Sequence, residues 1–142
     1  MSLTLEQCRT IIAAALAKGA EQGFNSLAVA VLDAGGHLKA FERQDGTSNL
    51  RPQIAHGKAF GALGMGLGSR ALFERAQQQP YFVQAINALA GGALVPVPGG
   101  VLVKDASGAT LGAVGVTGDT SDNDEICAVA GIKGAGLLAE TG

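Results

Sequence analysis

The chain predicts an α/β (α+β) fold: a single antiparallel sheet of four or five strands with flanking helices, in the order α-ββ-α(αα)-ββ-α. Three observations carry that expectation. Two short apolar runs each end in an Asp-Ala-x-Gly turn and are followed by a returning strand, and strands joined by such tight turns pair antiparallel. Apolar residues recur at helical spacing before, between and after those hairpins. Across 142 residues, 47% are hydrophobic and 15% charged, which is enough apolar material for one ordinary domain spanning 1–142 to bury a real core.

The first helix opens at Thr4, which with Gln7 forms a capping box that satisfies free amides. Leu5, Cys8, Ile11, Ile12, Ala15 and Leu16 follow at helical spacing, and Gly23 stops the helix near Gln22. Leu27 to Leu32 is a short apolar run with β-branched residues. Ala34-Gly35-Gly36 turns the chain, and His37 to Arg43 returns as the second strand. Gln44 to Leu50 is loop. Pro52 suits the first turn of a helix that runs to about Leu63. Gly57, Gly61 and Gly64 fall near one face of it, a pattern of close packing against another backbone at a propensity cost of about 1 kcal/mol each.

Gly64-Met65-Gly66-Leu67-Gly68 breaks that helix, Ser69 caps a short one, and Pro80 starts another that ends near Leu89. Gly91 to Gly100 is an irregular Pro/Gly segment. Val101 to Lys104 and Thr110 to Thr117 make the second hairpin. Asp122 and Glu125 form a capping-box-like start to the last helix, with Asp124 in its first turn where the helix dipole favours anions. That helix carries Ile126, Val129, Ala130, Ile132 and Leu137. The hairpin turns Val31–Gly36 and Val103–Gly108 match at Val, Asp, Ala and the last Gly. Asp caps such a turn and Gly takes positive φ; because the flanks do not match, shared turn chemistry accounts for the likeness better than duplication.

Composition excludes several function classes. The net charge is −2 and no Lys/Arg cluster is present, so no nucleic-acid surface is expected. No apolar run approaches a membrane span, and MSLTLEQCRT lacks the basic and apolar regions of a secretory leader. Cys8 and Cys127 have no metal-type spacing and suit buried helix positions. The expectation is therefore a reduced, cytoplasmic protein without a metal centre. GxxxxGK[ST], HExxH, CxxC and GxSxG are all missing. The Gly64–Gly68 run follows a helix rather than a strand, which argues against a dinucleotide loop. Few charges and 22 glycines suggest that surface is covered by self-association into a homo-oligomer.

The residues able to carry chemistry are few. His37 and His56 are the only imidazoles. His37 sits at a hairpin exit, where a solvated histidine is the ordinary alternative to a ligand. His56 lies in the Gly-rich helix two residues before Lys58, with small neighbours that leave room for a planar group. Asp119, Asp122, Asp124 and Glu125 supply oxygens of the kind calcium or magnesium takes, but in the wrong spacing, and helix capping explains part of the cluster. Organic-ligand contact or acid–base work is the remaining alternative for them. Gly99 and Gly100 can present backbone N–H groups to an anion or simply allow a strained strand entry. Arg43 and Arg51 flank a polar loop and can clamp a carboxylate, although solvated arginines are commoner.

Four collinear stretches carry a resemblance: VAVLDAGGHLKAFERQDG (29–46), IAHGKAFGAL (54–63), PVPGGVLV (96–103) and LGAVGVTGDTSDNDEICAVAGI (111–132). Together they resemble the GlcG/HbpS-like haem-binding family, to which the C-terminal domain of the PduO adenosyltransferase also belongs. The resemblance implies a five-stranded antiparallel sheet of profilin-like or PAS-like appearance, homo-oligomers that are often octamers, and haem as a ligand of some members. By analogy, Thr117 and Thr120 become oxygen contacts to a ligand. The first-helix histidine of the PduO-type domain has no counterpart here, and the leader of secreted members is absent.

Two functions follow as expectations. The first is binding of a small molecule, haem or another tetrapyrrole, by His37, Arg43, Arg51, His56, Gly99, Gly100, Thr117, Asp119, Thr120 and Asp124. The second is a catabolic lyase, isomerase or tautomerase acting on a small carboxylate metabolite, with His56, Lys58 and Asp122 as catalytic residues. In both, Gly99-Gly100 and the 119–124 loop form one wall of a pocket, and His56 and Lys58 form the other.

Overall fold

The computed structural model describes residues 2–142. In order along the chain are α1 (Leu5–Gln22), β1 (Ala28–Asp33), β2 (Leu38–Arg43), α2 (Arg51–Met65), α3 (Ser69–Gln78), α4 (Pro80–Leu89), β3 (Gly100–Lys104), β4 (Thr110–Thr117), α5 (Ser121–Gly134) and β5 (Leu138–Glu140). The five strands form one antiparallel sheet in the order β2-β1-β4-β3-β5. The expected α+β sheet with flanking helices is therefore present. The fifth strand is the short β5, where Leu137 was expected to continue the last helix. Instead α5 stops at Gly134, and Gly136, with φ 75, turns the chain back onto β3.

Local chemistry sets most of the boundaries. Thr4 and Gln7 make the full capping box, and Gly23 ends α1 at φ 71. Asp33 Oδ1 accepts from the N–H groups of Gly35 and His37, and Asp105 Oδ1 accepts from those of Ser107 and Ala109. The two hairpins thus share one turn chemistry, completed by Gly36 and Gly108 at positive φ. Two expected caps move. Ser69 is the first residue of α3 rather than its cap; its buried hydroxyl accepts from Gly100 N instead. Thr120, not Asp122, caps α5, because its hydroxyl already accepts from Asn123 N and leaves the acids free for other partners. His37 lies in the turn just before β2 rather than within the strand.

The sheet has two different faces. Val29, Val31, Val101, Val103, Val114 and Val116 point into the main core, against Cys8, Ile11, Ile12 and Ala15 of α1 and Cys127, Ala128 and Ile132 of α5. Ala28, Ala30, Ala113, Leu32 and Leu102 point the other way, against Ala55, Ala59 and Ala62 of α2. The second face is built from small residues because α2 lies almost on the sheet. A Cβ added to Gly115 would overlap the Ala55 carbonyl, and one on Gly100 would overlap the Lys58 carbonyl. Of the three helix glycines, Gly57 packs against another backbone as expected, at Ala93 O, and also faces Val95. Gly61 meets the side chains of Leu72 and Leu94, whereas Gly64 faces open space.

Gly115→Ala is therefore expected to destabilise the protein by about 1–3 kcal/mol or more, since helix and strand backbones must separate. Gly64→Ala, in an uncrowded helical position, should instead stabilise it by up to about 1 kcal/mol. Urea unfolding of the two variants checks both signs.

Candidate functional site

The first two turns of α2 form one side of an apolar groove of about 570 Å³, contributing Leu50, Pro52, Gln53, Ile54 and His56; Gly91, Gly92, Ala93 and Val95 form the other. Pro52 and the helix it starts set the near wall. The far wall is a loop held at defined points: Gly91 and Gly92 take φ 69 and 83, Leu94 N donates to Asn87 Oδ1 at 2.9 Å, and Val95 N donates to Gly57 O at 3.3 Å. Gly57 lets that loop rest directly on the helix, where a Cβ would stand 2.8 Å from Ala93 O. No charged side chain lines the groove among the described residues.

His56 is the one titratable group in this lining. Its ring stacks on Phe60 one turn later, with centroids 5.9 Å apart and planes 18° from parallel. No hydrogen bond among the described residues occupies its ring nitrogens. An imidazole held by stacking, with its nitrogens free beside an apolar cleft, can ligate a metal-centred macrocycle or bond a polar group on a planar ligand.

Lys58, two residues on, faces the other way into the protein. Both Lys58 and Asp124 are 1% exposed. Lys58 Nζ donates to Asp124 Oδ2 at 3.0 Å and to Val116 O at 2.9 Å, and Asp124 Oδ1 accepts from Asp119 N at 2.9 Å. The lysine thus runs from α2 past the sheet to α5. It can do so because Gly99 has no side chain; a Cβ there would stand 2.9 Å from Nζ. Burial pushes the ammonium below the ordinary lysine value, and the Asp124 carboxylate opposes that push.

Lys58, Gly99, Gly100, Asp119 and Asp124 are brought together as expected, but as a closed, packed junction rather than a pocket wall. His56 is not part of it. The 119–124 loop is occupied with its own backbone. Asp119 accepts from Asn25 N, Thr120 N and the Asn123 side chain. Those bonds, Asn25 first, hold its carboxyl below the usual value. Thr117 accepts from Arg51 Nη1 at 2.8 Å, so Arg51 braces the end of β4. Asp122, with Glu125, pairs with Arg70 of α3 at 2.6 Å and 3.0 Å. Arg43 borders a separate polar cleft with Phe24, Asn25 and Gln44. His37 is exposed, its Nδ1 3.2 Å from Asp33 Oδ1.

Sequence reasoning missed the groove's other residues, Leu50, Pro52, Ile54, Ala93 and Val95, and the Arg70 clamp. The Pro52 helix start and the Gly91-Gly92 pair were local signs of the groove. Arg70 gave no sign, since its partners lie more than fifty residues away.

The sequence model of a family described as haem-degrading, HbpS-like proteins matches residues 3–133. Among solved structures, a complex of PduOC with haem aligns with TM-score 0.86 at 20% identity, covering 96% of this chain and 97% of that one. The Klebsiella pneumoniae protein ORFY aligns with TM-score 0.84 at 23% identity, covering 96% and 92%. A double mutant of HbpS from Streptomyces reticuli aligns with TM-score 0.80 at 29% identity, covering 94% and 86%. No curated protein matches the chain. No helix among the described residues is long and apolar enough to cross a membrane.

Breaking the buried pair in Lys58→Met should cost about 3–5 kcal/mol, because Asp124 is left buried and uncompensated. The double variant Lys58→Met/Asp124→Leu should recover part of that loss, as chemical denaturation will show. Asp119 contributes stability that is fully present above the ordinary Asp value and is lost as pH falls through its lower folded value. Asp119→Ala should accordingly lose more stability at pH 7 than at pH 3, where part of the wild-type contribution has gone.

Proposed function

Because the chain belongs to the HbpS-like family of haem-degrading proteins, we propose that it binds haem or a related tetrapyrrole in the groove between α2 and the Gly91–Val95 loop, with His56 as the protein's nitrogen ligand. The observation that carries this reading is the His56 imidazole, its nitrogens unoccupied, at the edge of an apolar cleft. The residues present fit the group. A porphyrin offers a broad apolar face that the Leu50, Pro52, Ile54 and Val95 surfaces would desolvate. Its iron takes imidazole nitrogen. With no cation in the lining, the ligand's carboxylates would stay at the solvent rim rather than enter.

When bound, haem would supply a redox-active iron; the chain's own part is to desolvate one face of the ring and offer one nitrogen. The geometry does not favour acid–base catalysis on a small carboxylate. Lys58 is locked to Asp124, Asp122 is paired with Arg70, and His56 faces a cleft without a charged partner. We further propose a cytoplasmic homo-oligomer, with an octamer as the first assembly to test. Leu50 at 67% and Leu89 at 89% exposure supply apolar surface for subunit contacts, and two buried free thiols suit a reducing compartment. Multi-angle light scattering reads the assembly, and a monomer at micromolar concentration would rule it out.

Titration of the purified protein with hemin should give a saturable Soret shift. His56→Ala should weaken it by at least about tenfold, the low end of what disturbing even an outer-shell partner of a metal ligand costs. His37→Ala should match the wild type. The site is refuted by the absence of a saturable shift, or by one that His56→Ala leaves unchanged.

A further inference from the structure

Phe60 stands between two cavities on the outer side of α2. On one side its ring is stacked on His56, which lines the groove. On the other it borders a smaller cavity of about 160 Å³ beneath the β1–β2 turn, with Ala34, Gly35, Gly36, Leu63 and Gly64. The Gly36 turn lies across this cavity from the ring. A Cβ placed on Gly36 would lie 3.7 Å from Phe60 Cδ2, and the turn takes φ 84 at that position. The remainder of the Phe60 side chain packs on the small-residue core formed by Leu32, Ala59, Ala62, Leu102 and Ala113.

The usual device that aims a ligating imidazole is a hydrogen bond from its second ring nitrogen to a carboxylate or carbonyl. His56 has no such bond among the described residues, and the groove lining contains no carboxylate. His37 shows the contrast within the same chain, since its Nδ1 is held by Asp33. The orientation of the His56 ring therefore depends on the near-parallel face of Phe60, at 18°. A stacked aromatic pair of this kind has a preferred offset geometry and so restricts the partner ring.

We propose that Phe60 is the positioning residue for His56: its ring, packed against the small-residue core, sets the imidazole plane in which the groove's ligand is met. This rests on the reading of the groove as a tetrapyrrole site. It adds that a hydrophobic stack takes the place of the polar outer-shell partner.

The test compares wild type, Phe60→Leu, Phe60→Tyr and His56→Ala. Hemin affinity is read from the Soret titration, and the ligation signature from low-temperature electron paramagnetic resonance of the ferric complex. Phe60→Leu should weaken hemin by about 2- to 10-fold, the range an aromatic pair is worth, and broaden or shift the resonance. Phe60→Tyr, which keeps the ring, should restore both. In the ligand-free protein, the His56 ring-proton shifts should move in Phe60→Leu and return in Phe60→Tyr. If the leucine variant does not fold, Phe60→Met serves in its place. A Phe60→Leu protein with wild-type affinity and resonance, while His56→Ala loses binding, overturns the positioning role and leaves the site standing. If His56→Ala binds as the wild type does, the site and the positioning role fall together.

Discussion

Gly115 and Gly100 leave no space between α2 and the sheet, and most of the molecule is arranged around that contact. With Ala28, Ala30 and Ala113 on the strands and Ala55, Ala59 and Ala62 on the helix, two backbones meet at a distance that ordinary side chains would forbid. The opposite face of the sheet carries the valines and holds the larger core under α1 and α5. The alternation of small and branched residues along β1 and β4 thus does more than separate inside from outside. It makes one face a close backbone contact and the other a thick apolar layer, which is why α2 is the element whose outer side is free to carry a ligand surface.

The same close approach explains the buried lysine. A helix this near the sheet brings Lys58 level with the Val116 carbonyl, and the glycine at 99 opens a path to Asp124 beyond it. A charge pair so fully buried adds little net stability over a packed apolar pair, but losing one partner is severe. Its consequence here is registry. α2 and α5, on opposite faces, are tied through one side chain, while Arg51 to Thr117 and Arg70 to Asp122 and Glu125 tie α2 and α3 to the same corner. The acidic loop expected to form one wall of a pocket is the fastening point of the fold. The groove lies elsewhere on α2, and it is apolar because Leu50, Pro52, Ile54, Ala93 and Val95 make most of its lining.

Much of this was legible along the chain. The two hairpins, the capping box at Thr4 and the Gly23 stop are consequences of residues a few positions apart, and the structure shows each of them. The misplaced features share a cause. Ser69 and Asp122 are good capping residues by type, yet Ser69 is engaged by Gly100 and Asp122 by Arg70, partners over thirty residues away. Thr120, the residue just before α5, caps it through its hydroxyl. The strand β5 is three residues long and exists only because β3 offers it an edge.

The sequence by itself determined the element order as far as α5, the hairpin chemistry, the family and the two residues, His56 and Lys58, on which a functional reading would turn. Local spacing and composition suffice for these. Tertiary structure alone decided that the two residues part company. They lie two positions apart on a helix, roughly 200° around its axis. With one face of α2 pressed onto the sheet, a half-turn separates a buried structural charge from an imidazole open to a groove. Which side of a helix is covered depends on residues far away in the chain, and no local pattern in IAHGKAFGAL states it.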